Sequence, residues 1–185
     1  MMMSDTDRVF PAEYEATYID LPSAGDVDYE FLHEYGRAMA STVLVEPWSG
    51  PSWTGSFVAP DPLIRRATSG LFGTPSPVQL CVVERGSAFL VSVLNPRDYE
   101  FVRTDGPVLS VEQIVEESRL LLLTPWSITA VGVDGVAWTT RRVAIEGLRA
   151  DEVAGGWLRG VADPVDDEPR DFAVNLKTGE VVGGA

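Results

Sequence analysis

The residues ITAVGVDGVAWTT, positions 128–140, decide the fold class of this chain. Asp134-Gly135 stands between two runs rich in β-branched and aromatic residues. A tight type I′ turn needs positive φ at both central positions, and Asp and Gly tolerate that best. The stretch therefore reads as a hairpin of Ile128–Val133 with Val136–Thr140. Working outward, Leu120–Leu123 is a short apolar run stopped by Thr124-Pro125, which reads as a buried strand. Further on, Gly155-Gly156 joins Val153-Ala154 to Trp157–Val161, and Lys177-Thr178-Gly179 joins Phe172–Leu176 to Glu180–Val182. In the first half, Arg85-Gly86-Ser87 joins Val78–Glu84 to Ala88–Leu94. Those two runs are apolar at nearly every position, so they belong in the middle of a sheet. A succession of hairpins with short turns predicts an antiparallel meander curled as a barrel or stacked as a sandwich.

Two segments carry helical patterns. Phe31, Leu32, Tyr35 and Met39 recur at helical spacing behind Asp28, a possible N-cap. Ser110 and Gln113 have the spacing of a capping box ahead of Ile114 and Val115, which predicts two turns over Val111–Ser118. β-branched Val111, Ile114 and Val115 oppose that reading. Asp61–Ala67 reads as a helical turn opened by Pro62. The expected fold is mainly β (β-rich α+β), with one or two short helices.

Residues 1–30 set Asp5, Asp7, Glu13, Glu15, Asp20, Asp26, Asp28 and Glu30 against Arg8 alone. Phe10, Tyr14, Tyr18, Ile19 and Leu21 are too apolar for a purely disordered tail. The expected organisation is an acidic, partly mobile N-terminal arm over 1–30 that docks by its aromatic residues, followed by a single β-rich domain over 31–185. No run reaches the roughly 18–20 apolar residues of a membrane-spanning helix. The N-terminus lacks the basic start and apolar centre of a secretory signal, which predicts a cytoplasmic location.

The last third of the chain carries a resemblance. Leu121-Leu122-Leu123-Thr124-Pro125-Trp126, Ile128–Gly132 with Asp134-Gly135 and Trp138, and Asn175–Glu180 with Gly183-Gly184 resemble a β-rich pattern found in uncharacterised bacterial proteins. The resemblance implies no activity and transfers no functional residue.

The formal net charge is −14, with Lys177 as the one lysine. Such a field repels phosphate backbones and anionic membrane surfaces, whose binding rests on Lys and Arg. No nucleic-acid or membrane partner is expected; attraction to a basic protein is. The single cysteine, Cys81, excludes an internal disulfide and a multi-thiolate zinc site, and its apolar surroundings read as core. His33 is the one histidine, which removes multi-histidine metal centres, and no G-x-S-x-G elbow exists for it to serve. There is no P-loop, and Gly155, Gly156 and Gly160 lack the strand-turn-helix context of a dinucleotide fingerprint. No cofactor is expected.

What remains is surface. Trp48 and Trp53, separated by Ser49-Gly50-Pro51-Ser52, could form an aromatic lip, or else cover the open end of a sheet. Arg65 and Arg66 offer local positive charge before the loop Ser69–Pro77, either as an anion contact or as partners for surplus carboxylates. With Trp157 these are the candidate binding residues. Asp163, Asp166, Asp167 and Glu168 form an acidic loop with hard oxygen donors for Ca²⁺ or Mg²⁺, though without the spacing of a calcium hand.

The leading expectation is a non-enzymatic acidic protein-binding module of inhibitor, immunity or accessory type. One alternative is a carboxylate-based hydrolase or small-ligand binder with a pocket at the sheet end, near Trp48–Phe57 and Ser69–Pro77. Another is a structural subunit of a larger assembly. Oligomeric state is not encoded in any of these features.

Overall fold

A computed structural model describes residues 6–7, 10–20, 26–32, 39–60, 66–165 and 167–185. His33, Arg65 and Asp166 lie outside the described residues, as does most of the segment Asp61–Ala67. Every regular element among the described residues is a strand. The contacts gather into two compact units, Met1–Arg103 and Thr104–Ala185.

The first unit contains β1 (Thr6–Asp7), β2 (Tyr14–Ile19), β3 (Tyr29–Leu32), β4 (Met39–Pro47), β5 (Trp53–Ala59), β6 (Gly70–Gly73), β7 (Gln79–Glu84), β8 (Ser87–Ser92) and β9 (Tyr99–Val102). They form a four-stranded sheet ordered β2-β4-β5-β3 and a five-stranded sheet ordered β1-β6-β7-β8-β9. Two pairings are parallel, β1 with β6 and β3 with β5. β7 and β8 sit inside their sheet with Leu80, Cys81, Val82, Val83, Ala88, Phe89, Leu90 and Val91 all buried, as their two-sided apolar sequence requires. One core joins the two sheets: Tyr14, Phe31, Val43 and Phe57 from one meet Leu71, Leu80, Phe89 and Val91 from the other.

The second unit contains β10 (Ser110–Ile114), β11 (Arg119–Leu123), β12 (Ile128–Gly132), β13 (Gly135–Thr139), β14 (Leu148–Ala154), β15 (Trp157–Ala162), β16 (Arg170–Asn175) and β17 (Val181–Gly183). They make two antiparallel meanders, β10 to β13 and β14 to β17, each in sequence order. Leu121, Leu123, Ile128 and Ala130 of the first pack with Leu158, Phe172, Val174 and Leu176 of the second. The mainly β expectation holds, and the meander holds here in full. The sheets are separate, so no closed barrel exists among the described residues.

Both helical readings are corrected at the residues described; Tyr35 of the first lies outside them. Asp28 does not cap a helix. The Thr54 N–H donates to its Oδ2 at 2.7 Å and the Thr54 hydroxyl at 3.0 Å, while the Asp28 N–H donates to Thr54 Oγ1 at 3.2 Å. This reciprocal clamp sets the register of the parallel pair that follows, Tyr29 opposite Gly55 and Phe31 opposite Phe57. Phe31 turns inward while Glu30 and Leu32 turn out, a period of two that the helical reading overlooked. Residues 110–114 likewise pair with β11, Val111 opposite Leu122 and Ile114 opposite Arg119. The β-branched residues outweighed the capping box once the leucine-rich strand β11 offered a ladder. Ser69–Pro77 is not wholly loop, since Gly70–Gly73 is β6.

The hairpins divide by turn chemistry. Arg85 and Gly86 have φ of 45° and 83°, and Gly155 and Gly156 have 60° and 78°, both with the two positive values of a type I′ turn. At Asp134-Gly135 the chain turns one residue earlier, because Gly132 pairs with Gly135 and only Gly135 has positive φ, at 105°. Ala137 is then the extra residue of a bulge between Trp138 and Val136, which absorbs the offset.

Candidate functional site

Within the first unit, the turn after β4 and the segment after β8 enclose a cleft of about 300 Å³. Pro47, Gly50 and Pro51 form one side, Val93, Leu94, Pro96 and Arg97 another, and Asp28 and Tyr29 enter from the start of β3. Sequence explains the turn: Gly50 has φ of 133°, a conformation that favours glycine, and Pro51 follows it. The turn is also tethered, because the Trp48 N–H donates to the Glu13 carbonyl at 2.9 Å and the Glu13 N–H to the Pro77 carbonyl at 2.8 Å.

The two tryptophans separate into different roles. Trp48 is 71% exposed on the turn whose neighbours Pro47 and Gly50 line the cleft. Trp53 is only 5% exposed, so of the two readings of this pair, a lip or a cover over the sheet, its ring fits the second. Its ring N–H donates to the Val93 carbonyl at 2.9 Å, and Tyr29 meets it edge-on with centroids 5.6 Å apart. Gly55 permits this stacking, since a Cβ there would lie 2.7 Å from the Phe31 ring and 2.9 Å from that of Trp53. Trp53 is a wall of the cleft held rigid by the core. Beside it, apolar surface comes from Leu94, 50% exposed, and from Tyr99, which is exposed where it packs edge-on against Phe31 at 5.0 Å, while Asp28, Ser52 and Arg97 bring polar groups to the cleft.

The remaining candidates do not join this cleft. Trp157 belongs to the second unit, half-buried at the start of β15 opposite Ala154 and Asn175. Arg66 is exposed. A more open hollow of about 440 Å³, lined by Tyr18, Ile19, Asp20, Ser41, Thr42 and Ser69, takes in the first residue of the loop Ser69–Pro77. The residues missed from sequence are Asp28, Tyr29, Leu94, Pro96 and Arg97. The available signal was a second proline turn, Asn95-Pro96-Arg97-Asp98, opposite the Trp48 turn.

Asp163 is a structural residue. It is buried with φ of 53°, and its Oδ1 accepts the N–H groups of Ile145 at 2.8 Å and Glu146 at 2.6 Å. Asp167 and Glu168 are exposed, and among the described residues no group of three or more His, Cys, Asp or Glu side chains is gathered where it could hold a metal ion. Asp163→Ala leaves two backbone donors without their acceptor and is expected to cost about 2–3 kcal/mol. Asp163→Asn keeps an acceptor and tolerates positive φ, so its loss in urea unfolding is expected to be less than half as large.

Cys81 is fully buried, and desolvation pushes its thiol up to about 12 from 9.0. A raised folded-state value means that the stability tied to the neutral thiol is complete below pH 9.0 and fades as pH climbs towards 12. Alkylation by iodoacetamide at pH 8 is therefore expected only after unfolding, a result read by mass spectrometry with and without denaturant.

Among the described residues no helix is long and apolar enough to cross a membrane. No protein-family model matches the sequence, and no curated protein is significantly similar to it. Solved structures align with the chain. The chain aligns over 99% of its length with 54% of the "N-terminal Domain of Nup159", at 12% identity and a TM-score of 0.44. It aligns over 99% with 52% of a chain in an S. cerevisiae structure of Dbp5 bound to Nup159, Gle1, IP6 and ADP, at 10% identity and a TM-score of 0.41. The chain thus spans about half the length of the solved chains it matches.

Proposed function

We propose that this protein is a non-enzymatic binding module that engages another protein through the Trp48 surface of its first unit. The observation that carries this reading is the pairing of a 71%-exposed tryptophan with a cleft whose wall, Trp53, is fixed in the core. A rigid aromatic anchor beside a preformed hollow is the arrangement that supplies most binding energy at protein interfaces, because little side-chain freedom is lost on contact. The net charge of −14 adds long-range attraction for a basic partner.

The carboxylate-hydrolase reading fits less well. Two acids in unlike environments must face one substrate bond. The cleft presents one carboxylate, Asp28, already bonded to Thr54.

The test is affinity capture from the native host lysate with the wild type and with Trp48→Ala, at low and then high salt. The variant removes an exposed ring, so its stability is expected to stay within about 0.5 kcal/mol of the wild type. A protein held by the wild type at low salt and released by either the substitution or the salt is the expected result. Identical capture by both proteins would rule the Trp48 surface out.

A further inference from the structure

We propose that two copies of this chain pair through this face, the Trp48 ring of each seated in the cleft of the other. The inference rests on the protein-binding reading of the Trp48 surface and names what covers that surface when no other protein does.

The two charges of the cleft select the occupant. Asp28 and Arg97 both line it and cancel, so neither a cation nor an anion is favoured there. Each still has a contact to offer. Asp28 Oδ2 is committed to Thr54, while Oδ1 accepts no hydrogen bond from any described residue. Arg97 is exposed and makes no ion pair with any described residue. A neutral side chain with one N–H at its edge and an electron-rich face satisfies both groups, the N–H on the carboxylate and the face under the guanidinium. Indole has that form. Tyr29, Trp53 and Pro51 supply wall for the rest of the ring, and about 300 Å³ holds one large side chain and little more.

This chain displays such a ring beside the cleft. Trp48 is 71% exposed, and its ring N–H has no partner among the described residues. It directly follows Pro47, a lining residue, yet does not line its own cleft. The Trp48 N–H is held by the Glu13 carbonyl, so the knob is in place before contact and little freedom is lost on insertion. In a two-fold pair, residue i meeting j entails j meeting i. A knob one residue from the rim of its own hole lets one axis bring both insertions into register, and Leu94, 50% exposed on the lining, is covered at the same time. Charge works against the pair: two copies at −14 each repel, so the association is weak and salt strengthens it, the reverse of what salt does to a basic partner.

The test is sedimentation velocity of the full chain between about 5 and about 500 μM, the range that reads a weak dimer, in about 50 and about 300 mM NaCl. The expected result is a dimer that grows with concentration and tightens with salt. Trp48→Ala is expected to weaken it at least about thirtyfold, the loss of a central aromatic anchor. Trp48→Phe keeps the ring face and removes the N–H; Asp28→Asn, whose one carbonyl stays with Thr54, removes the acceptor. Each is expected to cost about threefold to tenfold, and the two together no more than either alone, because both delete the same hydrogen bond. Arg97→Ala is expected to cost about threefold. A wild type that stays monomeric throughout would overturn the proposal, and so would a dimer that survives Trp48→Ala. Additive losses from Trp48→Phe and Asp28→Asn would do the same, since the ring would then lie elsewhere. Trp48-dependent capture of a host protein by a chain that remains monomeric would leave the broader reading standing without this one.

Discussion

Trp53→Ala is expected to lower stability by about 3–5 kcal/mol, the range for large aromatic side chains removed from a core. Two losses combine. The ring is 5% exposed and packs among Tyr29 and Phe31, with centroids 5.6 Å and 6.0 Å away, so its removal opens a cavity those side chains cannot fill. The Val93 carbonyl also loses its buried donor, which adds an unsatisfied acceptor. Trp53→Phe separates the terms, since it keeps most of the ring volume and removes the N–H; its cost is expected to be about 1–2 kcal/mol. Urea unfolding followed by circular dichroism measures both without relying on the altered fluorophore. A Trp53→Ala cost no larger than that of Trp48→Ala would mean that the first unit's core does not include this ring.

The contrast between these two tryptophans marks what a sequence can and cannot disclose. Turns were legible because their chemistry is local. Arg85-Gly86 and Gly155-Gly156 encode positive φ in adjacent residues, and hairpins formed at both. Asp134-Gly135 gave the right hairpin with the turn displaced by one residue, since either Val133-Asp134 or Asp134-Gly135 can occupy the corner and a bulge at Ala137 reconciles the register. The two-sided apolar runs of β7 and β8 likewise announced a central position. Parallel pairing was hidden. β3 lies along β5 because Asp28 and Thr54 clamp each other, and nothing in residues 28–32 alone names that distant threonine. The fate of Trp53 depended on the same pairing: Tyr29 and Phe31 reach it only once β3 is in place, so a candidate lip became a core residue. Trp48 needed no such partner, and its exposure followed from its turn.

Gly160→Ala in the second unit is expected to cost at least about 3 kcal/mol, at or beyond the upper end for overpacking a core. A Cβ on Gly160 would collide with the Arg149 carbonyl oxygen and lie 2.7 Å from the Phe172 ring. Positive φ is not the reason, for Gly160 lies in a regular strand, opposite Ala150 on one side and Phe172 on the other. The cause is the bulge in β14, where the register shifts between Ala150 and Glu152 and the bent strand crowds its neighbour. A ring can rotate away from a methyl group, whereas a carbonyl cannot move without breaking the ladder. Phe172→Leu is therefore expected to rescue Gly160→Ala by less than half in a double-mutant cycle, with the carbonyl contact remaining. Gly155→Ala provides the comparison. No atom lies within 4 Å of its added Cβ, and only the φ of 60° opposes it, so about 1–2 kcal/mol is expected. If the two alanine variants melt together, the close approach of β14 to β15 is not the constraint, and full rescue by Phe172→Leu would assign the cost to the ring instead.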